Sequence, residues 1–208
     1  MTGTLTPMHT RTRSYHHGDL RAALLTRAEE TLKEKGPTAL SLRELARDLG
    51  VSHAAPSRHF KDKQALLDAL ARVGFERLRE TLEASQDGTG EAFAERLDAM
   101  FRAYVGFALD NPALLELMYA LKRAPEASAE LVEATRRWSE LLERVIDEGQ
   151  RRGEVRKGEL ERVGVPIFAA LHGYAELAAT GHLPPEVHEH GLDEVIAFTL
   201  RGCAPDGA

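Results

Sequence analysis

The stretch GVSHAAPSRHF, residues 50–60, decides how the rest of this 208-residue chain is read. It lies between two amphipathic runs, yet its centre is two alanines, a proline and a serine. A helix that served only to fill a core would carry larger apolar side chains there. Small residues flanked by His53, Ser57, Arg58 and His59 instead make a surface that can approach a flat, deep partner and hydrogen-bond to it. Phe60 supplies the bulky anchor. Pro56 lies near the end of a first helical turn, where few amides have intrahelical partners, so its missing donor costs less than it would mid-helix.

Outward from that stretch the pattern is helical. Leu42, Leu45, Ala46 and Leu49 fall at i, i+3, i+4, i+7. The preceding SLRE, residues 41–44, has the form of a capping box, with the Ser41 hydroxyl accepting from the Glu44 amide and Glu44 reaching back. Gly50 ends this helix after about two turns, Val51 is placed to plug the core, and Ser52 to cap the next helix. Upstream, Leu20, Leu24, Leu25, Ala28 and Leu32 share one face of a helix from about Asp19 to Lys35, which stops at Gly36-Pro37. Downstream, a helix is expected from near Asp62 to about Ser85. Two short helices joined by a tight glycine turn form a helix-turn-helix, whose second helix presents its first turns to the DNA major groove. Ala54 and Ala55 would then let the backbone come close to base edges. A three-helix packing unit with a merely polar surface is the plainer alternative.

Composition bounds the remaining choices. One cysteine, Cys203, excludes an internal disulfide and fits a reducing compartment. No run approaches the ~18 apolar residues of a membrane span, and the first twenty residues lack the apolar core of a signal peptide. The expected location is cytoplasmic. The net charge of −6 argues against a nucleic-acid partner until its distribution is considered: residues 1–63 carry +4 and the remainder −10. A basic amino end on an acidic body suggests that one part meets an anionic polymer and the other does not. Nothing alternates with a period of two, so the fold class is all-α, an amino-terminal three-helix unit followed by a larger helical domain. Residues 1–14, with Arg11 and Arg13, read as a flexible basic arm; 15–63 as the DNA-binding domain; and 64–208 as a regulatory, ligand-binding and dimerisation domain. Signatures of catalysis are missing: there is no glycine-rich phosphate loop, G-x-S-x-G, H-E-x-x-H or cysteine pair.

Residues 39–70, ALSLRELARDLGVSHAAPSRHFKDKQALLDAL, resemble the amino-terminal domain of the tetracycline-repressor (TetR) family. The shared features are the capped SLRELA helix, GVS at the turn, HF closing the recognition helix and K-x-x-LL opening the next. The resemblance covers about residues 15–70. It implies double-stranded operator DNA as partner, with Ser41, the segment His53–His59 and Lys63 facing it. Arg43, Ser52, Ala54, Ala55, Ser57 and Arg58 complete the DNA-facing set, and the arm arginines reach phosphates or the minor groove. Ser57 departs from the family, which commonly has a phosphate-binding tyrosine there. YHHGDLR, residues 15–21, and PIFAALHGYAELAATGHL, residues 166–183, resemble one branch of the family with a His-Gly in its carboxy-terminal domain.

Nine of the twelve aromatic residues follow residue 90. Between helices they could line a cavity, the usual place for an apolar ligand in an all-α protein, or simply fill a core. With the family resemblance they imply an effector pocket from Phe101, Tyr104, Met118, Tyr119, Trp138, Phe168, His172 and Tyr174, holding a small, mostly apolar effector. His172 and Glu176 lie one helical turn apart, but that helix offers no third metal ligand. His182, His188 and His190 read first as solvated surface, with a metal site as the alternative. No cofactor is expected. Leu192, Val195, Ile196 and Thr199 form a second i, i+3, i+4, i+7 face, read as half of a four-helix homodimer interface. The reading is a dimeric repressor released by its effector. Its rivals are a constitutive DNA-binding factor, a metal-responsive regulator, or an enzyme that uses the helix-turn-helix only for packing.

Overall fold

Leucine, alanine, glutamate and arginine dominate the chain, and the fold they build is helical throughout the described residues. The computed structural model describes residues 17–184, 187 and 190–205. Arg11, Arg13, Tyr15 and His188 lie outside them. Helix α1 (His17–Lys35) buries Leu20, Leu24, Ala28 and Leu32. It ends where Gly36 adopts φ 75° and donates its amide to the Leu32 carbonyl at 2.9 Å. That left-handed step is open to glycine at little steric expense. A single 3₁₀ turn, Pro37–Ala39, leads to α2 (Leu42–Asp48).

Ser41 caps α2 with extended backbone, but its side chain accepts no hydrogen bond, so the expected capping box is not formed. Glu44 pairs instead with Arg47, three residues on along the exposed face. Helix α3 (Lys63–Ala84) starts where expected and is capped, Asp62 Oδ1 accepting from the Ala65 amide at 2.7 Å.

Helix α3 is common to both halves. It packs on α1 in the head and on α4 (Phe93–Asp110), α5 (Pro112–Leu121) and α6 (Ala129–Arg152) in the body. Its residues Leu66, Leu70, Phe75, Leu78 and Leu82 are buried, and Gly74 meets α5 backbone to side chain. A Cβ at Gly74 would stand 2.5 Å from Met118 Sδ and 2.8 Å from its Cγ. Burying this much apolar surface on several sides makes α3 the spine of the fold, at roughly 25 cal/mol per Å² of apolar area removed from water.

Helices α7 (Leu160–Ala179) and α8 (Gly191–Cys203) complete the body, α7 against α4 and α6, and α8 against α7 and α4. Helix α8 has His190 as its amino-terminal flank, and Pro185 lies outside the described residues. Ser128 Oγ caps α6 by accepting from the Leu131 amide at 3.1 Å, and Gly153, φ 76°, ends it.

Candidate nucleic-acid interface and ligand groove

The segment after Gly50 is not the regular α-helix expected. It holds one 3₁₀ turn, Pro56–Arg58. The amides of Ala55, Arg58 and His59 bond three residues back, to Ser52, Ala55 and Pro56. Proline explains the departure: it has no N–H to continue the ladder and disfavours helical backbone before it. The alanines add no packing that would compensate. Pro56 and Phe60 are buried, with the Arg21 guanidinium 5.3 Å from the Phe60 ring centroid. Pro56 and Phe60 thus anchor the segment to the core, and Ser57 and Arg58 between them, with Ser52, His53 and Ala54 before them, stay outside.

Arg43, Ser52, His53, Ala54, Ser57 and Arg58 are exposed, and Ser41, Ala55, His59 and Lys63 half-buried. No side-chain hydrogen bond or ion pair engages His53, Ser57, Arg58 or Arg43 among the described residues. Lys63 Nζ donates to the Thr38 carbonyl at 3.0 Å, tying the start of α3 to the turn before α2. His59 differs from its neighbours. It lines a cleft of about 540 Å³ between head and body, beside Phe60, Asp68, Arg72, Glu126 and Ser128, and its Nε2 is enclosed without a hydrogen-bond partner. Asp68, buried on α3, accepts from the Ser128 amide at 3.2 Å across the same cleft.

In the body, five of the eight expected pocket residues come together. Tyr104 Oη lies 3.0 Å from Tyr119 Oη and 2.9 Å from His172 Nδ1. The Tyr104 hydroxyl thus bridges Tyr119 and His172, donating to one of them and accepting from the other. Trp138 and Phe168 meet with centroids 5.3 Å apart, and Phe168 stacks on His172 at the same separation. Phe75 of α3 joins from outside the expected range, 5.8 Å from Tyr119 and 5.9 Å from Trp138. Met118 is seated against Gly74, Phe101 is enclosed in the core, and Tyr174 is directed at Gly191 of α8, away from the cluster.

Burial dominates the protonation of this cluster. It raises the hydroxyls of Tyr104 and Tyr119 well above the ordinary range, so both stay protonated. It lowers His172, helped by the nearby Lys122 charge. Lys122, at the end of α5, is a member the sequence does not announce. Its Nζ stands 3.9 Å from the Tyr119 centroid, 5.5 Å from Phe168 and 6.0 Å from Trp138. Desolvation, then repulsion from Arg123, brings it down to about 8.

Lys122, Trp138 and Phe168 open onto a groove of about 370 Å³ between α6 and α7, continued by Leu142, Ile146 and Val165. His172 and Glu176 gain no third ligand: among the described residues no three His, Cys, Asp or Glu side chains are placed to hold a metal. His182 Nδ1 is 2.7 Å from Thr180 Oγ1 on the surface. On α8, Ile196 and Thr199 turn inward and are buried, whereas Phe198 is 66% exposed.

Two family matches cover most of the chain. Residues 24–70 match "Bacterial regulatory proteins, tetR family", and residues 97–201 match "Tetracyclin repressor-like, C-terminal domain". A structure of a Rhodococcus sp. RHA1 protein with unknown function shares 45% identity at TM-score 0.82, over 93% of this chain and all of that one. An HTH-type transcriptional regulator of Mycobacterium tuberculosis is 30% identical over 101 residues, 48% of this chain and 43% of that protein. The class C tetracycline repressor of Escherichia coli is 49% identical over 53 residues, 26% and 24% of the two chains. The chain thus spans under half the length of the curated relatives it matches.

Proposed function

Because the chain belongs to the TetR family of transcriptional regulators, we propose that it is a dimeric repressor whose hold on operator DNA is released by a small, mostly apolar effector. One observation carries the DNA surface: His53, Ser57 and Arg58 stand exposed, without a side-chain partner among the described residues, on a segment anchored by the buried Pro56 and Phe60. Arg43 and Lys63 flank it for phosphates, with Ser41 and Ser52 as hydrogen-bonding partners and Ala54 and Ala55 as the close-approach surface. Arg11 and Arg13, outside the described residues, are assigned to phosphates or the minor groove. We divide the chain functionally at residue 63, with 15–63 reading DNA and 64–208 regulating it. The described residues include no helix long and apolar enough to cross a membrane, and the protein acts in the cytoplasm.

Dimerisation is proposed through the outer face of α7 and α8. Phe198, Leu177 and the small residues Ala169 and Gly173 are exposed there, whereas Ile196 and Thr199 already serve the chain's own core. Release needs a path from groove to head. Residues 122–128 supply one, with Lys122 in the groove and Ser128 held by Asp68 beside His59 and Phe60. A ligand that favours one arrangement of this loop shifts the population of head positions.

The test begins with an operator selected from random duplexes by repeated binding. Arg58→Ala is expected to lower the slope of log affinity against log salt by about one, and His53→Ala to change the sequence selected. Two variants that keep the wild-type slope and the wild-type sequence would refute the assignment. Sedimentation of the same preparations at micromolar concentration reads the dimer.

A further inference from the structure

We propose that the α6–α7 groove takes an amphipathic monocarboxylate, its single anionic head on Lys122 and its apolar body along Trp138, Leu142, Ile146 and Phe168. This inference rests on the reading of the groove as the effector site and adds the chemistry of the effector. Lys122 is the half-buried charge of the lining; Arg123, Glu143 and Glu161 are exposed at the rim. Its ammonium stands over three aromatic rings and has no carboxylate or carbonyl partner among the described residues. Aromatic faces offset part of the lost hydration but not the charge itself. A carboxylate would supply both a counter-ion and an acceptor.

The other polar groups agree with one acidic head. Thr135 and Ser139 line the groove, but each hydroxyl already donates to its own helix, to the Leu131 and Arg136 carbonyls at 2.9 Å. The Trp138 indole N–H is enclosed with no acceptor, a second donor on the wall that holds Lys122. A neutral ligand would leave the ammonium uncompensated. A second negative charge would find no further interior cation and would meet Glu143 and Glu161 at the rim. The volume, about 370 Å³, is near the lower end of small-molecule sites, which suits a single chain or one to two rings.

Trp138 is the sole tryptophan, so its fluorescence reports on the groove directly. The probes are decanoate and 4-phenylbutyrate, each against its uncharged primary amide, with decyltrimethylammonium as the cationic control. Saturable binding of a carboxylate is expected, about ten- to a hundredfold tighter than its amide. Lys122→Met keeps the apolar stem and should abolish that preference while the fold, read by circular dichroism, is retained. Affinity for the acid should fall as pH rises above about 8, where free Lys122 loses its proton. The groups facing Lys122 in that range are Arg123 beside it, Tyr119 on α5 and His172 on α7; the tyrosine stays protonated and the histidine neutral throughout. Equal binding of acid and amide, an unchanged preference in Lys122→Met, tighter binding of the cation, or no carboxylate binding at millimolar concentration would each overturn the proposal. Operator release is measured separately: carboxylate binding that leaves the DNA complex intact keeps this inference and removes the effector reading.

Discussion

In the head, the polar side chains that would meet DNA stand exposed and unpartnered on a segment holding one 3₁₀ turn. In the body, the polar groups beside the groove are enclosed, and Tyr104, Tyr119 and His172 are bonded to one another. The contrast follows from the partner each half faces. Base edges and phosphates bring their own acceptors and donors, so a reading surface keeps its hydrogen-bonding capacity free. A ligand groove must keep its shape when empty, so the tyrosines and His172 behind it satisfy each other, and the Lys122 ammonium and the Trp138 indole are the donors left for a ligand.

The largest effect that would break this contrast is expected from Phe60→Ala. Removing a ring that is 2% exposed from the head should cost about 3–5 kcal/mol. Amide exchange should accelerate over residues 41–62 while the Trp138 unfolding transition stays in place. If both move together, head and body open as one unit and the division between them is artificial. Tyr104→Phe probes the body alone. It strips the partner from two half-buried groups and should lower the stability of the Trp138 transition by about 1–3 kcal/mol, with operator affinity of the ligand-free protein unchanged.

The smallest effect is a pH dependence. His172 is held below its ordinary 6.5, chiefly by burial, so the unfolded chain binds a proton more readily than the native one. Stability is therefore complete above 6.5 and is lost as pH falls through 6.5 towards the depressed native value. The denaturation midpoint of the wild type should drop between pH 7.5 and 5.5 by more than that of His172→Asn, measured at both pH values.

Much of the fold is legible in local signals. Gly36-Pro37 ends α1, Asp62 begins α3 and Gly153 ends α6 because turn and cap chemistry is local. The reading segment departs from its expected helix for the complementary reason: its alanines favour helix, and the missing amide of Pro56 outweighs them. On α8 the spacing of Leu192, Val195, Ile196 and Thr199 does mark one apolar face. That face serves the chain's own core first, and periodicity cannot tell a core from an interface. Lys122 carries no signal at all. In the run MYALKR it reads as a solvated end of α5, and only the approach of α6 and α7 adds the Trp138 and Phe168 rings to that of Tyr119 on its own helix.

Gly74 has a consequence for movement. Between it and Lys63 lie roughly 16 Å of α3, from a rise of about 1.5 Å per residue. The close approach of bare backbone to the Met118 thioether would thus serve as the pivot of a lever whose long arm ends at the 50–60 segment. Met118 lies four residues before Lys122, so a ligand in the groove would act close to the pivot and the head would swing at the tip. A displacement of a few tenths of an ångström at the sulfur is enlarged along that arm. A single methyl at position 74 would act as a permanent wedge, setting the angle of the head with no ligand bound.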